Sequence, residues 1–158
     1  MDLSIYAPGK NEGPAVWFLN TLTVVKATAK QTNNGFGLIE MLAPVGPASP
    51  YHIHRAEDET CYVLEGHLEV ISGERRWTGG PGSYAFLPRD IPHGLRVVGT
   101  SPARFLVLTT PGGFEGFVME MGEPASALTL PTPSAPDMDK LMALAAKYRI
   151  EILGPLPE

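Results

Sequence analysis

The sequence predicts an all-β body, a two-sheet jelly roll of short strands, followed by one C-terminal α-helix. Three observations carry this. Sixteen prolines and seventeen glycines are spread through 158 residues and punctuate the chain between short apolar runs. Those runs favour β-branched and aromatic residues, which suit a half-buried pleated surface. Only one segment, Asp137 to Arg149, repeats its apolar positions at helical spacing. The length fits one domain with a sizeable core, here read as residues 1–158, with the barrel over about 16–120 and a linker and helix over 121–158.

Met1 to Pro14 is polar and bears Gly and Pro, and is expected to run as an arm along the surface or across a partner subunit. Ala15 to Ala29 should supply one or two strands. Asn33-Asn34-Gly35 is a hairpin signal, because Asn and Gly accept the positive φ of tight turns, and Phe36 to Leu42 follows as a strand. Glu40, inside that run, is read as a satisfied structural carboxylate, with a place near a functional site as the alternative. Glu59 to Leu64 reads as a buried strand closed by Gly66. His67 to Ile71 and Arg75 to Thr78 form a hairpin about Ser72-Gly73. Tyr84 to Leu87, Leu95 to Val98 and Ala103 to Thr110 complete the strands.

Beyond Pro111 to Phe117 the composition changes. Residues 122–136 are rich in proline and small polar groups and read as a linker or wrapping segment. In the helix that follows, Met138, Leu141, Met142, Ala145 and Tyr148 recur on one side. Acids at its start and Lys147 and Arg149 at its end complement the helix dipole. It is read as a packing helix over one barrel face, with a lid over a pocket mouth as the alternative. Gly154-Pro155 is expected to end the ordered chain.

Composition excludes several classes of function. The net charge of −5, with no basic cluster, argues against nucleic acid and anionic membrane surfaces. No apolar span is long enough to cross a bilayer, and the first ten residues lack a basic stretch followed by an apolar one. The single cysteine, Cys61, cannot form an intrachain disulfide, which fits a reducing compartment. A cytoplasmic location is the expectation.

The chemistry concentrates in four residues. His52 and His54 are two apart in a stretch that Pro44, Pro47 and Pro50 keep from being helical, so on a strand both project from one face. Glu59 lies beyond a polar turn, and His93 ends the frame Gly82 to His93. Only four histidines occur in the chain, and three belong to this set. His-x-His alone is a weak signal; with a carboxylate and a distant histidine it becomes a candidate site for one ion. Glu57 and Asp58 adjoin Glu59 and leave the choice of carboxylate open. Three imidazoles and one carboxylate leave two positions of an octahedral ion free. They fit Fe(II), Mn(II), Ni(II) or Co(II), with Zn(II) and Cu(II) also compatible.

These residues resemble the cupin family. Gly46, His52, His54, Glu59 and Gly66 match every fixed position of its first motif, and Gly82, Pro88 and His93 match its second. Asp90 stands where glycine is usual and Val97 where asparagine is usual. The resemblance runs from about Val16 to Glu120, with residues 67–81 as a short spacer of the kind seen in bacterial single-domain cupins. It implies a double-stranded β-helix, a cupin jelly-roll barrel. Pro111 to Phe117 and the Ile150 to Pro155 tail are similar to quercetin 2,3-dioxygenase-like cupins. That similarity implies oxidative opening of a flavonol or related enolic or phenolic molecule by O2, with Glu59 as both ligand and base. Cys61, Phe86, Phe105 and Val107 are the candidate pocket residues. A metal-dependent isomerase, lyase or cyclase, and a non-catalytic small-molecule-binding cupin, are the alternatives. A symmetric homodimer is the expected assembly, with the N-terminal arm and C-terminal helix as covers for exposed sheet.

Overall fold

A computed structural model describes residues 4–158. Its elements are β1 (Ala15–Phe18), β2 (Thr21–Ala27), β3 (Gly37–Ala43), β4 (Gly46–Pro47), β5 (Tyr51–His54), β6 (Asp58–Glu65), β7 (His67–Ser72), β8 (Arg75–Gly79), β9 (Tyr84–Leu87), β10 (Gly94–Val98), β11 (Ala103–Thr110), α1 (Phe114–Met121), β12 (Glu123–Pro124), α2 (Met138–Lys147) and β13 (Ile150–Gly154). Seven strands form one antiparallel sheet in the order β12-β1-β2-β3-β11-β6-β9, and four form a second in the order β4-β10-β7-β8. The two layers are those of a jelly roll. A third, two-stranded sheet pairs β13 with β5.

Alternation along the strands builds the core. In β3, β11 and β6 the register aligns Ile39 with Val107 and Cys61, and Met41 with Phe105 and Val63. All six are buried, and they pack in one apolar cluster with Leu68, Val70, Leu95 and Val97 of the opposing sheet. The other parity faces outward. Glu40 lies on that outer parity and pairs with Arg104 at 2.9 Å, so it is a structural acid away from the interior.

Three features differ from the sequence expectation. Asn33 and Asn34 do adopt positive φ, but within a nine-residue connection between β2 and β3. Thr28, Gln31 and Thr32 bond among themselves there and hold the chain in a wider loop. The tight turn instead falls at Leu19-Asn20, both left-handed, between β1 and β2. A second helix, α1, follows Gly113, where the sequence offered only a Pro-Gly-Gly segment. Finally, the chain does not lose order at Gly154-Pro155: Arg96 reaches the carbonyl of Pro157 at 2.6 Å, and Arg76 bonds that of Glu158.

α2 begins where expected, with the Asp137 side chain accepting from the Lys140 N–H at 3.0 Å. Leu141 and Ala145 face the core, while Met138 and Met142 point outward. Residues 122–136 wrap the β1–β2 end, held by Trp17 Nε1 donating to Thr129 O and by Asn20 bonding both backbone groups of Ser134. The arm is described from Ser4 onward, with Met1–Leu3 outside the described residues, and Lys26 ties it down through the carbonyls of Gly9, Lys10 and Glu12. No helix of the described residues is long and apolar enough to cross a membrane.

The start of α1 is fixed by a buried acid. Glu115 accepts the Ala29 N–H at 2.6 Å and the Gly113 N–H at 2.8 Å, joining the helix to the β2–β3 loop. Gly37 lies opposite, where a Cβ would overlap the Glu115 carboxylate. Glu115→Ala therefore leaves two part-buried donors unpaired, at a cost of about 1 kcal/mol for each, toward the low end of the buried range. A lowered urea midpoint at constant m-value is the expected result; a wild-type midpoint would show that the carboxylate does not hold the helix.

Candidate metal centre

The four residues reach the site from three places in the chain. His52 and His54 lie on β5, Glu59 on β6, and His93 just before β10. His93 is brought alongside by reciprocal backbone bonds with His52, both at 2.9 Å. Asp90 supports this approach. It adopts a φ of 67°, which an aspartate tolerates in a glycine's place, and its N–H donates to His54 O at 2.9 Å.

The imidazoles are aimed by what lies behind them. His52 Nδ1 is 2.8 Å from the carbonyl of Pro50, and His93 Nδ1 is 3.0 Å from that of Ile91. His54 Nδ1 is 2.7 Å from a carboxylate oxygen of Glu57. Since these partners only accept, each Nδ1 carries its proton, and each Nε2 points inward. The three Nε2 atoms and a Glu59 oxygen lie within 4.8 Å of one another, and all four residues are buried. Glu59 Oε2 is 3.0 Å from His54 Nε2 and 3.3 Å from His93 Nε2. His52 Nε2 and His54 Nε2 stand 3.1 Å apart. With neutral imidazoles those two lone pairs face each other, an arrangement that a cation between them relieves. The donor set thus fits one divalent ion, held by three nitrogens and one carboxylate oxygen.

The alternatives for the carboxylate separate clearly. Glu57 is buried behind His54 as the group that orients it, and Asp58 turns outward to accept two bonds from the Arg89 guanidinium. Only Glu59 faces the three Nε2 atoms.

Burial and charge act in opposite directions across this cluster. Burial, joined by the charges of His54 and His93, pushes His52 down to about 4. Burial also disfavours charged His54, but Glu57 and Glu59 outweigh it and push that imidazole up to about 9. Burial acts to raise Glu59, yet His54 and His93 hold its carboxyl well below the usual range. Burial, with Glu59 adjacent, pushes the Cys61 thiol well up, so it stays protonated and donates to Glu59 Oε1 at 3.6 Å.

The centre opens on one side into a small chamber of about 50 Å³. His52 and Glu59 form its polar end. Phe105 and Val107 line it, as do Phe114 and Phe117 of α1 and Ile150 and Ile152 of β13. Phe114 also packs edge-on against the His54 ring, with centroids 5.1 Å apart. Cys61 sits behind Glu59 rather than on the chamber wall. Phe86 is corrected: it is 54% exposed and points away from the interior. In β9 it pairs with Thr60, which has the outward parity opposite to Glu59 and Cys61. α1 and β13 fall in or next to the Pro111–Phe117 and Ile150–Pro155 segments that carry the resemblance to quercetin 2,3-dioxygenase-like cupins, but the sequence assigned no pocket residue to either.

A metal ion must displace the proton on His54. That proton is held most firmly below the ordinary histidine range and is lost as pH rises through about 9, so affinity should rise across that interval. Glu57→Gln removes the charge that raises His54; it should weaken metal binding by about 10–100-fold and flatten the pH dependence above neutrality. Calorimetric titration with Co(II) or Ni(II) across pH measures both. Unchanged affinity in the variant would show that Glu57 does not orient the ligand.

Comparisons with known proteins agree with this geometry. A family model described as "Cupin domain" matches residues 38–109. Over 151 residues the chain is 23% identical to the quercetin 2,3-dioxygenase of Bacillus subtilis, covering 95% of this chain and 44% of that one. It thus spans less than half of that curated relative. Among solved structures, TT1209 from Thermus thermophilus is 30% identical, covers 58% of this chain and 84% of its own, and superposes with a TM-score of 0.52. KdgF from Halomonas sp. superposes with a TM-score of 0.54 at 18% identity, covering 61% of this chain and 85% of its own, which shows the shared fold. With its motifs, jelly roll and converged histidines, the chain belongs to the cupin superfamily.

Proposed function

We propose that the protein is a metal-dependent dioxygenase that opens an enolic or phenolic small molecule, of the flavonol type, with O2. The observation that carries this reading is the pairing of a three-histidine, one-glutamate centre with a chamber whose other walls are almost wholly apolar. Among the described residues no lysine or arginine lines the chamber, so beyond the ion itself nothing there would pair with the further negative charge of a sugar phosphate or a dicarboxylate. A flat, uncharged ring bearing a hydroxyl fits those walls. The similarity to a quercetin 2,3-dioxygenase points the same way.

A divalent ion held by His52, His54, Glu59 and His93 would supply Lewis acidity, lowering the pKa of a coordinated hydroxyl. The chain's own residues do the rest. Glu59 is ionised and buried, and accepts the hydroxyl proton of the substrate. The Cys61 thiol donates to the other carboxylate oxygen, which keeps Glu59 from rotating away. Phe105, Phe114 and Phe117 grip the ring and exclude water. In the overall reaction O2 contributes both its oxygens to products, the ring opens, and one ring carbon leaves as carbon monoxide.

Supplying flavonols to Fe, Mn, Ni and Co forms, while following oxygen uptake and carbon monoxide, tests the reading. Absence of both in every form rejects it. Anaerobic turnover would point instead to an isomerase, lyase or cyclase, and binding without chemical change to a non-catalytic cupin. Glu59→Gln should lower kcat by about 10²–10⁴ while retaining some metal by elemental analysis. Full turnover in that variant contradicts the role of the carboxylate as base.

For the assembly we propose a homodimer through the outer face of β6 and β9. Tyr62, Leu64, Tyr84 and Phe86 are exposed there, with Tyr62 beside Tyr84 in register, and β9 ends its sheet. None of the four carries a charge, so a two-fold copy meets no like-charge repulsion on this patch. Sedimentation should give the mass of two chains for the wild type and one for Tyr84→Lys/Phe86→Lys. A single-chain mass for the wild type contradicts it. A reducing, cytoplasmic location is proposed on the buried free thiol of Cys61.

A further inference from the structure

The chamber beside the metal ligands is far too small for a multi-ring molecule. Its volume is about 50 Å³, against about 300–1,000 Å³ for pockets that hold drug-sized ligands. A second cavity of about 1080 Å³ lies next to it, between the β1–β2 end of the barrel, the wrapping segment and α2. Six residues line both: Leu19, Ala48, Ser49, Pro50, Leu141 and Ile152. The wall between the two spaces is thus one layer of side chains thick, and part of it, Pro50, holds His52 in place.

Leu19 is the unusual member of this wall. It occupies the first position of a two-residue turn with a φ of 45°, followed by Asn20 at 65°. Such turns select Asn, Asp or Gly, and a leucine there carries backbone strain. It lines both cavities and is only partly buried. Leu19 also packs against the apolar core cluster, so this one strained residue touches the core and both spaces at once. The outer cavity is otherwise lined by small, apolar and neutral polar residues, with three charged ones, Glu123, Asp137 and Lys140. Lys140 Nζ donates to Met121 O and Asp137 accepts the Lys140 N–H, while Glu123 is exposed at the rim.

We propose that the outer cavity is the second half of the substrate site and that Leu19 is the specificity-determining residue separating it from the metal chamber. The enolic end of an elongated, uncharged, mainly apolar molecule occupies the chamber, and its remaining rings lie in the outer cavity once Leu19 is displaced. This rests on the function proposed above only in requiring a bound metal.

The test reads ligand binding, not turnover. Anaerobic Co(II)-loaded protein is mixed in a stopped-flow cell with 3-hydroxyflavone, a flat three-ring chelator, or with acetohydroxamate, a small one. Removing the leucine removes an opening step that only the larger probe needs. In Leu19→Gly, 3-hydroxyflavone should therefore bind about tenfold faster or more, with acetohydroxamate changed by less than about twofold. Thermal stability should change little, because relief of the left-handed backbone offsets the packing that Leu19 makes against the core. Leu19→Asn, also suited to that backbone, carries the same expectation should the glycine variant fold poorly. Equal responses of the two probes overturn the proposal, as does a wild type and variant that bind acetohydroxamate but not 3-hydroxyflavone. A chain that takes up no Co(II) overturns this proposal and the metal reading together. Absence of dioxygenase turnover, with the probes separated as stated, removes only the oxygenase reading.

Discussion

Three outward hydrogen bonds govern this molecule: His52 to Pro50, His54 to Glu57 and His93 to Ile91. Each holds a proton on the outward Nδ1, so that the three Nε2 atoms face inward around Glu59, ready to present lone pairs once His54 gives up its second proton. Two of the three acceptors are main-chain carbonyls two residues before their histidine, so local chain geometry sets the aim. The third is a carboxylate, which makes His54 far more basic than His52 and leaves on it a proton that a metal would have to displace.

The surroundings follow from that centre. β13 returns the chain to β5, with Ile152 opposite His52 and Ile150 opposite His54. The C-terminal segment is therefore part of the wall beside the candidate metal ligands rather than an appendage. α1 brings two phenylalanines to the same chamber, and Glu115 locks its first turn to the β2–β3 loop. Together they yield an apolar pocket with one polar end, the form in which a buried carboxylate and a Lewis acid would act most strongly.

Much of the centre was legible because strand geometry has a strict period. Side chains two apart share a face, so His52 and His54 could be paired from sequence alone, and prolines nearby excluded the helix that would have separated them. The role of Glu57 was not legible, since three adjacent acids look alike until the turn after β5 sends Glu57 back and Asp58 outward. Phe86 was misplaced because parity on β9 depends on its register with β6, and a slip of one residue reverses every side chain. α1 and β13 are short and owe their form to tertiary contacts, against which local propensity is a weak guide. The helix α2, with an Asp cap and a longer amphipathic pattern, was readable for the opposite reason.

The central claim is that His52, His54 and His93 bind one ion through Nε2 together with Glu59. X-ray absorption of the protein loaded with one equivalent of Ni(II) or Co(II) tests this most directly. The account predicts about three imidazole nitrogens and additional oxygen scatterers, at roughly 2.0–2.2 Å, with the outer-shell pattern of imidazole rings. It also predicts that His54→Ala reduces the imidazole count by one or abolishes binding. A spectrum showing only oxygen ligands, or a sulfur ligand from Cys61, would contradict it.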